Sequence, residues 1–219
     1  MSDRVPAPPR GAEVDDGLLP SWAILIPVKP AAMSKTRLGG AAVDRTRLAR
    51  AIALDTIAAA AACEAVARVV VVTDDDGLVV DAAGIPRLHC VPEGGARGLD
   101  GAVLHGMAAA EGMPRAALLG DLPALRPEDL TAALRHAASF DRAVVADAEG
   151  TGSTLVTARV GVKWASAFGD GSFARHVRMG CVAMVVPAGS SLRRDVDTAQ
   201  QLEIARALGL GPRTAGLLP

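Results

Sequence analysis

The sequence predicts an α/β protein: a mostly parallel sheet sandwiched by helices, in a single domain. Three observations carry this. From Ser21 onward, short β-branched runs alternate with Ala-rich helical patterns, the order that builds strand–helix–strand units. The apolar runs are continuous rather than alternating, as in Arg68-Val-Val-Val-Val-Thr73, which marks strands covered on both faces. The length of 219 residues suits one domain with a substantial core.

The elements follow in order along the chain. Residues 1–20 hold four prolines and mixed charges and read as a flexible leader before a domain spanning 21–219. Trp22-Ala-Ile-Leu-Ile-Pro-Val28 is a buried strand by composition, and a polar loop follows through Gly40. Asp44 is placed to cap a long helix whose apolar face takes Leu48, Ile52, Ala59, Cys63 and Val66. Arg68–Thr73 is the second strand and ends at three aspartates. Further strands are expected at Arg87–Val91, Ala116–Leu119, Arg142–Ala146 and Val182–Val186. Helices are expected at Asp100–Glu111, Pro127–Ala138, Ser172–Met179 and Thr198–Leu208, with Pro127 suited to a first helical turn.

Composition removes several functions. Aromatic residues make up 2% of the chain and Tyr is absent, which argues against a single-strand nucleic-acid binder with its stacking platforms. A net charge of −1 argues against a duplex partner, whose phosphates must be neutralised. Cys63, Cys90 and Cys181 sit far apart in apolar segments, without zinc-ligand spacing. The first residues lack the apolar stretch of a secretory signal, and no run is long enough to span a bilayer. Cytoplasm is the expected location. There is no G-x-G-x-x-G after a strand, no G-x-x-x-x-G-K-[ST] and no G-x-S-x-G. His89, His105, His136 and His176 show no pairing that suggests a triad or a transition-metal site.

What remains clusters beyond the C-terminal ends of strands, where α/β proteins place ligands. Pro27-Val28-Lys29 with Ser34-Lys35-Thr36-Arg37 gathers two of the chain's three lysines and an arginine, which suits a triphosphate or a solvated loop. Leu118-Leu-Gly-Asp121-Leu-Pro123 presents Asp121 at a strand tip, as a ligand for a hard divalent cation or as a turn or capping aspartate. In Arg193-Arg-Asp195-Val-Asp197-Thr198 the two carboxylates share a face if the backbone is extended. They repel unless a cation sits between them. Alternatively, Asp197 with Gln200 forms a capping box for the last helix. Gly150-Thr-Gly-Ser-Thr154 and Phe168-Gly-Asp-Gly-Ser172 offer backbone N–H groups, hydroxyls and a helix start, an anion site or two Gly-rich turns. Gly94-Gly-Ala-Arg-Gly-Leu-Asp-Gly101 can pass close to a ligand. Carboxylates, cations and an anion pocket fit nucleotidyl transfer, in which an ionised phosphate attacks a nucleotide α-phosphate and needs no general base.

These motifs, in this order from about Trp22 to Thr214, resemble the 2-phospho-L-lactate/phosphoenolpyruvate guanylyltransferases of coenzyme F-420 biosynthesis, relatives of the molybdenum-cofactor guanylyltransferases. Ile26-Pro-Val-Lys29, Ser34–Leu38, Leu48-Ala-Arg-Ala51, Leu54-Asp-Thr56, Val70–Asp74, Gly120–Leu125, Gly150–Thr154, Phe168–Ser172 and Leu192–Thr198 carry the resemblance. It implies a nucleotide-diphospho-sugar transferase-like (GT-A-like) fold and a Mg²⁺-dependent transfer of GMP from GTP to a three-carbon phosphoacid, with release of pyrophosphate. By motif, Asp121, Asp195 and Asp197 would be the Mg²⁺ ligands, and Thr154, Gly169 and Ser172 the phosphoenolpyruvate contacts. Lys29, Lys35 and Arg37 would meet the GTP phosphates as the catalytic cations, while Thr73, Gly95 and Asp100 lie nearer the nucleoside. Where the family is expected to carry Leu-Asn, this chain reads Leu99-Asp100, and an ionised Asp only accepts hydrogen bonds.

The Ala/Arg bias of a GC-rich genome tilts the acceptor toward phosphoenolpyruvate, with 2-phospho-L-lactate as the alternative. A different nucleotidyltransferase and a non-catalytic nucleotide-binding relative are the rivals. The implied partners are GTP and a small phosphoacid, without nucleic acid or membrane. A homodimer and hand-off to the next pathway enzyme are left open.

Overall fold

The structure is a computed structural model that describes residues 21–30 and 44–219. The leader and the Ser34–Leu38 segment, with Lys35 and Arg37, lie outside the described residues. The chain runs through β1 (Trp22–Pro27), α1 (Arg45–Ala62), β2 (Val66–Val72), α2 (Asp76–Asp81), β3 (Leu88–Val91) and α3 (Gly98–Gly106). After a 3₁₀ turn at Met107–Ala110 come β4 (Arg115–Leu118), α4 (Pro127–Ala137), β5 (Arg142–Ala146), β6 (Ser153–Ala158), α5 (Ser172–Arg178) and β7 (Val182–Ala183). A second 3₁₀ turn at Ser191–Arg193 leads to α6 (Ala199–Leu208) and α7 (Pro212–Ala215).

Among the described residues, seven strands join one sheet in the order β3-β2-β1-β4-β6-β5-β7. Neighbours are parallel except β6, which runs antiparallel to both β4 and β5. Both faces are covered, as the continuous apolar runs predict. Trp22, Ile24, Ile26, Val69 and Val71 pack with residues of α1 and α4. The alternate residues Ala23, Leu25, Val70 and Val72 pack with Ala102, Val103 and Met107 of the α3 side. The period of two along each strand produces this division.

Local chemistry sets the element ends. Asp44 caps α1, accepting from Thr46 N at 2.9 Å and Arg47 N at 3.4 Å. The helix stops at Ala62, so Val66 opens β2 instead of closing the helical face, and Cys63 is the extended cap residue. Arg87 fixes that turn by donating from Nη1 to the carbonyls of Cys63 and Val66 at 3.2 and 2.7 Å. The three aspartates after β2 begin a helix: Asp75 caps α2 by accepting from Leu78 N at 3.0 Å. α3 starts at Gly98, ahead of the expected Asp100, and its last turn tightens to 3₁₀. β7 keeps two of the five expected residues. β6 is the main element the sequence reading missed, its six residues all buried. Among the described residues, no helix is long and apolar enough to cross a membrane.

Candidate active site

The sheet brings the C-terminal ends of β1, β2, β3, β4 and β5 to one edge. Because β6 is antiparallel, its N-terminal end and the preceding Gly150–Gly152 arrive at that same edge. Two cavities open there. One, of about 180 Å³, is walled by Pro27–Lys29, Arg50, Asp75 and Gly120 among others. The second, of about 420 Å³, is walled by Asp147, Glu149, Thr151–Ser153, Phe168–Ser172 and Asp195. Leu99, Leu119, Asp121 and Asp197 line both, so two of the three sequence-predicted metal aspartates stand on the shared wall.

Asp121 is held there by backbone and by α1. Gly120 lets the β4 tip close on β1, since a Cβ at this position would lie 3.2 Å from Val28 Cγ2 and 3.3 Å from Ile26 Cγ2. The Thr56 hydroxyl donates to Ile52 O and accepts from Leu122 N, each at 3.0 Å. Val196 N donates to Asp121 O at 3.0 Å, stitching the Asp195–Asp197 segment to the strand tip. The capping box of α6 is formed by Thr198 and Gln201. The expected cap of Asp197 with Gln200 is therefore shifted by one residue, and the Asp197 carboxylate is left to the cleft.

The electrostatics of this cluster test its fit to a cation. Asp121 Oδ1 and Asp195 Oδ1 are sealed from solvent without a hydrogen-bond partner. Burial, then the charges of Asp195 and Asp197, push the Asp121 carboxyl up to about 8. Burial, then Asp147 with Glu149 and Asp197, push Asp195 up to about 6. Orphaned, mutually repelling carboxylates are costly in a folded core, and a hard divalent ion satisfies both needs. Asp147 and Glu149 extend the cluster: one carboxylate oxygen from each lies within 4.8 Å of one from Asp195 and of the other. Asp147 also accepts from Thr151 N at 2.9 Å and Gly152 N at 2.6 Å, while Glu149 pairs with Arg194 at 2.6 Å. The sequence reading passed over these two acids, although the strand-end rule that found Asp121 applies equally to Ala146-Asp147-Ala-Glu149.

The other predicted residues fall in different places. Lys29 lines the smaller cavity and pairs with buried Glu93, 64 residues away in the chain. Arg50, which also lines it, bonds Asp75 at 2.9 Å and Asp81 at 3.4 Å. Gly169 and Ser172 line the larger cavity. Gly169 and Gly171 have φ of +104° and +67°, a region that favours glycine, so the Phe-Gly-Asp-Gly-Ser spacing is a backbone requirement. Thr154 is fully buried, its hydroxyl unpartnered. It sits at a β-bulge, because Val145 pairs with Leu155 but Ala146 with Ser153. The cavity wall there is made instead by Thr151, Gly152 and Ser153.

Thr73, Gly95 and Asp100 line neither cavity. The Thr73 hydroxyl accepts from Asp75 N at 3.1 Å, and Gly95 lies in the exposed loop before α3. Asp100 turns its carboxylate to Ser166 Oγ at 2.6 Å and to Phe168 N at 3.1 Å. The Thr151–Ser153 and Phe168–Ser172 wall of the larger cavity rests on His176, which is buried completely. Its Nε2 accepts from Ala167 N at 2.8 Å, so Nδ1 carries the proton and donates to Ser153 Oγ at 2.9 Å. Burial, with Arg175 nearby, holds the His176 pKa below its ordinary value against the opposing pull of Asp100.

Known proteins are similar to this chain in sequence or in fold. The family described as CofC-like guanylyl transferase matches residues 22–203. The phosphoenolpyruvate guanylyltransferase of Thermomonospora curvata is 48% identical over 202 residues, covering 90% of this chain and 88% of that protein. The enzyme of the same name from Streptomyces scabiei is 48% identical over 203 residues, covering 89% and 94%. Among solved structures, a 4-diphosphocytidyl-2C-methyl-D-erythritol synthase superposes with a TM-score of 0.60 at 16% identity, covering 86% of this chain and 99% of that one. A Desulfovibrio desulfuricans protein described as a nucleotide-diphospho-sugar transferase gives 0.52 at 18%, covering 85% and 96%. Those two likenesses establish the expected nucleotide-diphospho-sugar transferase-like fold. Matched over most of its length and nearly half identical to these relatives, the chain belongs to the CofC-like guanylyl transferase family.

Proposed function

We propose that the protein is a phosphoenolpyruvate guanylyltransferase: it joins GMP from GTP to phosphoenolpyruvate, giving enolpyruvyl-2-diphospho-5'-guanosine and pyrophosphate. The observation that carries this is the pair of cavities meeting on one acidic wall, Asp121 and Asp197. That arrangement suits two phosphate-bearing substrates reacting across a common cation. The names of the Thermomonospora and Streptomyces relatives support the choice of acceptor.

The smaller cavity, with Lys29 and Arg50, would take the triphosphate, and Lys35 and Arg37 would add to that charge as the resemblance implies. The larger cavity, with Gly169 and Ser172, would take the phosphoacid. An oxygen of the acceptor phosphate forms a bond to the α-phosphorus, and the bond from that phosphorus to the β-phosphate bridging oxygen breaks, releasing pyrophosphate. The acceptor phosphate is already ionised near neutral pH, so no side chain has to remove a proton. Asp121, Asp195 and Asp197 would hold Mg²⁺, which supplies charge neutralisation between the phosphates and alignment of attack and departure. The protein's own share is orientation: cations on one side, a backbone and hydroxyl cradle on the other. Such an enzyme would act in the cytoplasm and pass its diphosphate product to the next step of coenzyme F-420 biosynthesis.

Incubating the protein with GTP and Mg²⁺, and with phosphoenolpyruvate or 2-phospho-L-lactate in separate reactions, tests the proposal. Pyrophosphate release with phosphoenolpyruvate is expected. Release only with 2-phospho-L-lactate would move the acceptor, and no release with either would overturn the reaction.

A further inference from the structure

Side chains hold the backbone of the loop that enters the larger cavity ahead of α5. Ala167 N donates to His176 Nε2, and Ala167 O and Phe168 O accept from Arg175 Nε and Nη2, each at 3.1 Å. These two holders belong to α5, the helix the loop leads into, so they make a local knot. The third does not. Asp100 lies in the first turn of α3, 66 residues before Ser166, on the side of the sheet packed over β1 and β2. Its Oδ1 accepts from Ser166 Oγ at 2.6 Å, and both oxygens face Phe168 N at 3.2 and 3.1 Å. Its chain neighbour Leu99 lines both cavities.

We propose that Asp100 is a positioning residue for the phosphoacid. It ties the acceptor loop at Ser166 and Phe168 to the α3 that borders the nucleotide side. This rests on the guanylyl transfer proposed above. The sequence expectation sets the Asp100 carboxylate against the nucleoside, whereas its oxygens are taken up by the loop. Charge-assisted bonds to a carboxylate are among the stronger ones. They fix Gly169 and Ser172 within the fractions of an ångström that an in-line attack requires. A carboxylate offers two charged acceptor oxygens; an Asn keeps one uncharged oxygen and puts an NH2 donor where the second acceptor faces the Phe168 amide.

The test is a split of Michaelis constants. Asp100→Ala should raise KM for phosphoenolpyruvate about 10-fold while KM for GTP stays within about twofold, the mark of a displaced acceptor. Asp100→Asn should fall between the wild type and Ala. Ser166→Ala, which removes one partner and leaves the Phe168 bond, should give a smaller rise with the same split, and it serves if Asp100→Ala does not fold. Equal rises in both constants, a larger rise for GTP, or an unchanged phosphoenolpyruvate KM in all variants would overturn the assignment. Amide hydrogen exchange at Ala167–Asp170 separates this from the reaction itself. Faster exchange in Asp100→Ala supports the anchor even if the wild type releases no pyrophosphate, an outcome that refutes only the reaction. Unchanged exchange there refutes the anchor.

Discussion

Replacing Asp121 with Asn should make the metal-free protein more stable and remove turnover. The native carboxyl holds its proton up to about 8, against an ordinary 3.8. Above 3.8 the unfolded chain releases a proton that the folded chain keeps, so stability falls as pH rises through this window. The loss is about 1.4 kcal/mol per pH unit, which near pH 7 accumulates over about three units to roughly 4 kcal/mol. Part of the side chain faces the open cleft, where water screens the charges, and halving the figure leaves about 2 kcal/mol. For a chain of this size that corresponds to a Tm about 4–8 °C higher for Asp121→Asn in EDTA. Saturating Mg²⁺ should lift the wild type and not the variant, because a ligand stabilises only the state that binds it. Thermal melts in EDTA and in Mg²⁺, paired with pyrophosphate release, measure all three effects. A variant that melts below the wild type in EDTA, or an equal Mg²⁺ shift in both proteins, would refute the reasoning.

Ser172→Ala should raise KM for phosphoenolpyruvate by about 10-fold, the worth of one hydrogen bond to a charged group, and leave KM for GTP unchanged; steady-state kinetics with each substrate varied decide this. Thr56→Val keeps the shape but deprives Leu122 N of its acceptor. It should cost about 1–3 kcal/mol in urea unfolding, with kcat falling because Asp121 is the adjacent residue. Since the His176 pKa is lowered in the fold, the unfolded chain binds a proton there first as pH falls, and stability is lost below the ordinary value of 6.5. His176→Asn lacks that titration. The Tm advantage of the wild type over this variant should therefore shrink from pH 7 to pH 5, and a constant difference would contradict a neutral native imidazole.

Much of the candidate cleft was legible because strand ends can be read from composition. Asp121 follows an apolar run directly, and Asp195 and Asp197 are two apart, so both features survive without knowledge of the fold. The same logic reaches Asp147 and Glu149 once the end of β5 is treated like the end of β4. Lys29 stood out because lysines are few, but its partner Glu93 did not, since nothing in a one-dimensional pattern links residues 64 apart. The capping box moved by one residue because Thr198 and Asp197 are both competent caps, and the backbone angle at Thr198 decides which one serves. The partners of Asp100 were hidden for a similar reason: whether a carboxylate at a helix start faces open space or a distant loop depends on what packs opposite, here Ser166 and Phe168.

By itself the sequence determined the α/β class, the strands buried on both faces and the acidic strand tip, because each is a local consequence of side-chain type and spacing. Only the tertiary structure decided that β6 runs antiparallel through the middle of a parallel sheet. Neither the Ser153–Ala158 strand nor its direction was read from the sequence, where Gly150–Thr154 stood out only as a Gly-rich loop. Strand direction is set by which pairing buries the most surface with the available connections, a property of the whole sheet. That single reversal carries Gly150–Ser153 to the edge where Asp121 and Asp195 stand, and so builds the larger cavity beside the smaller one.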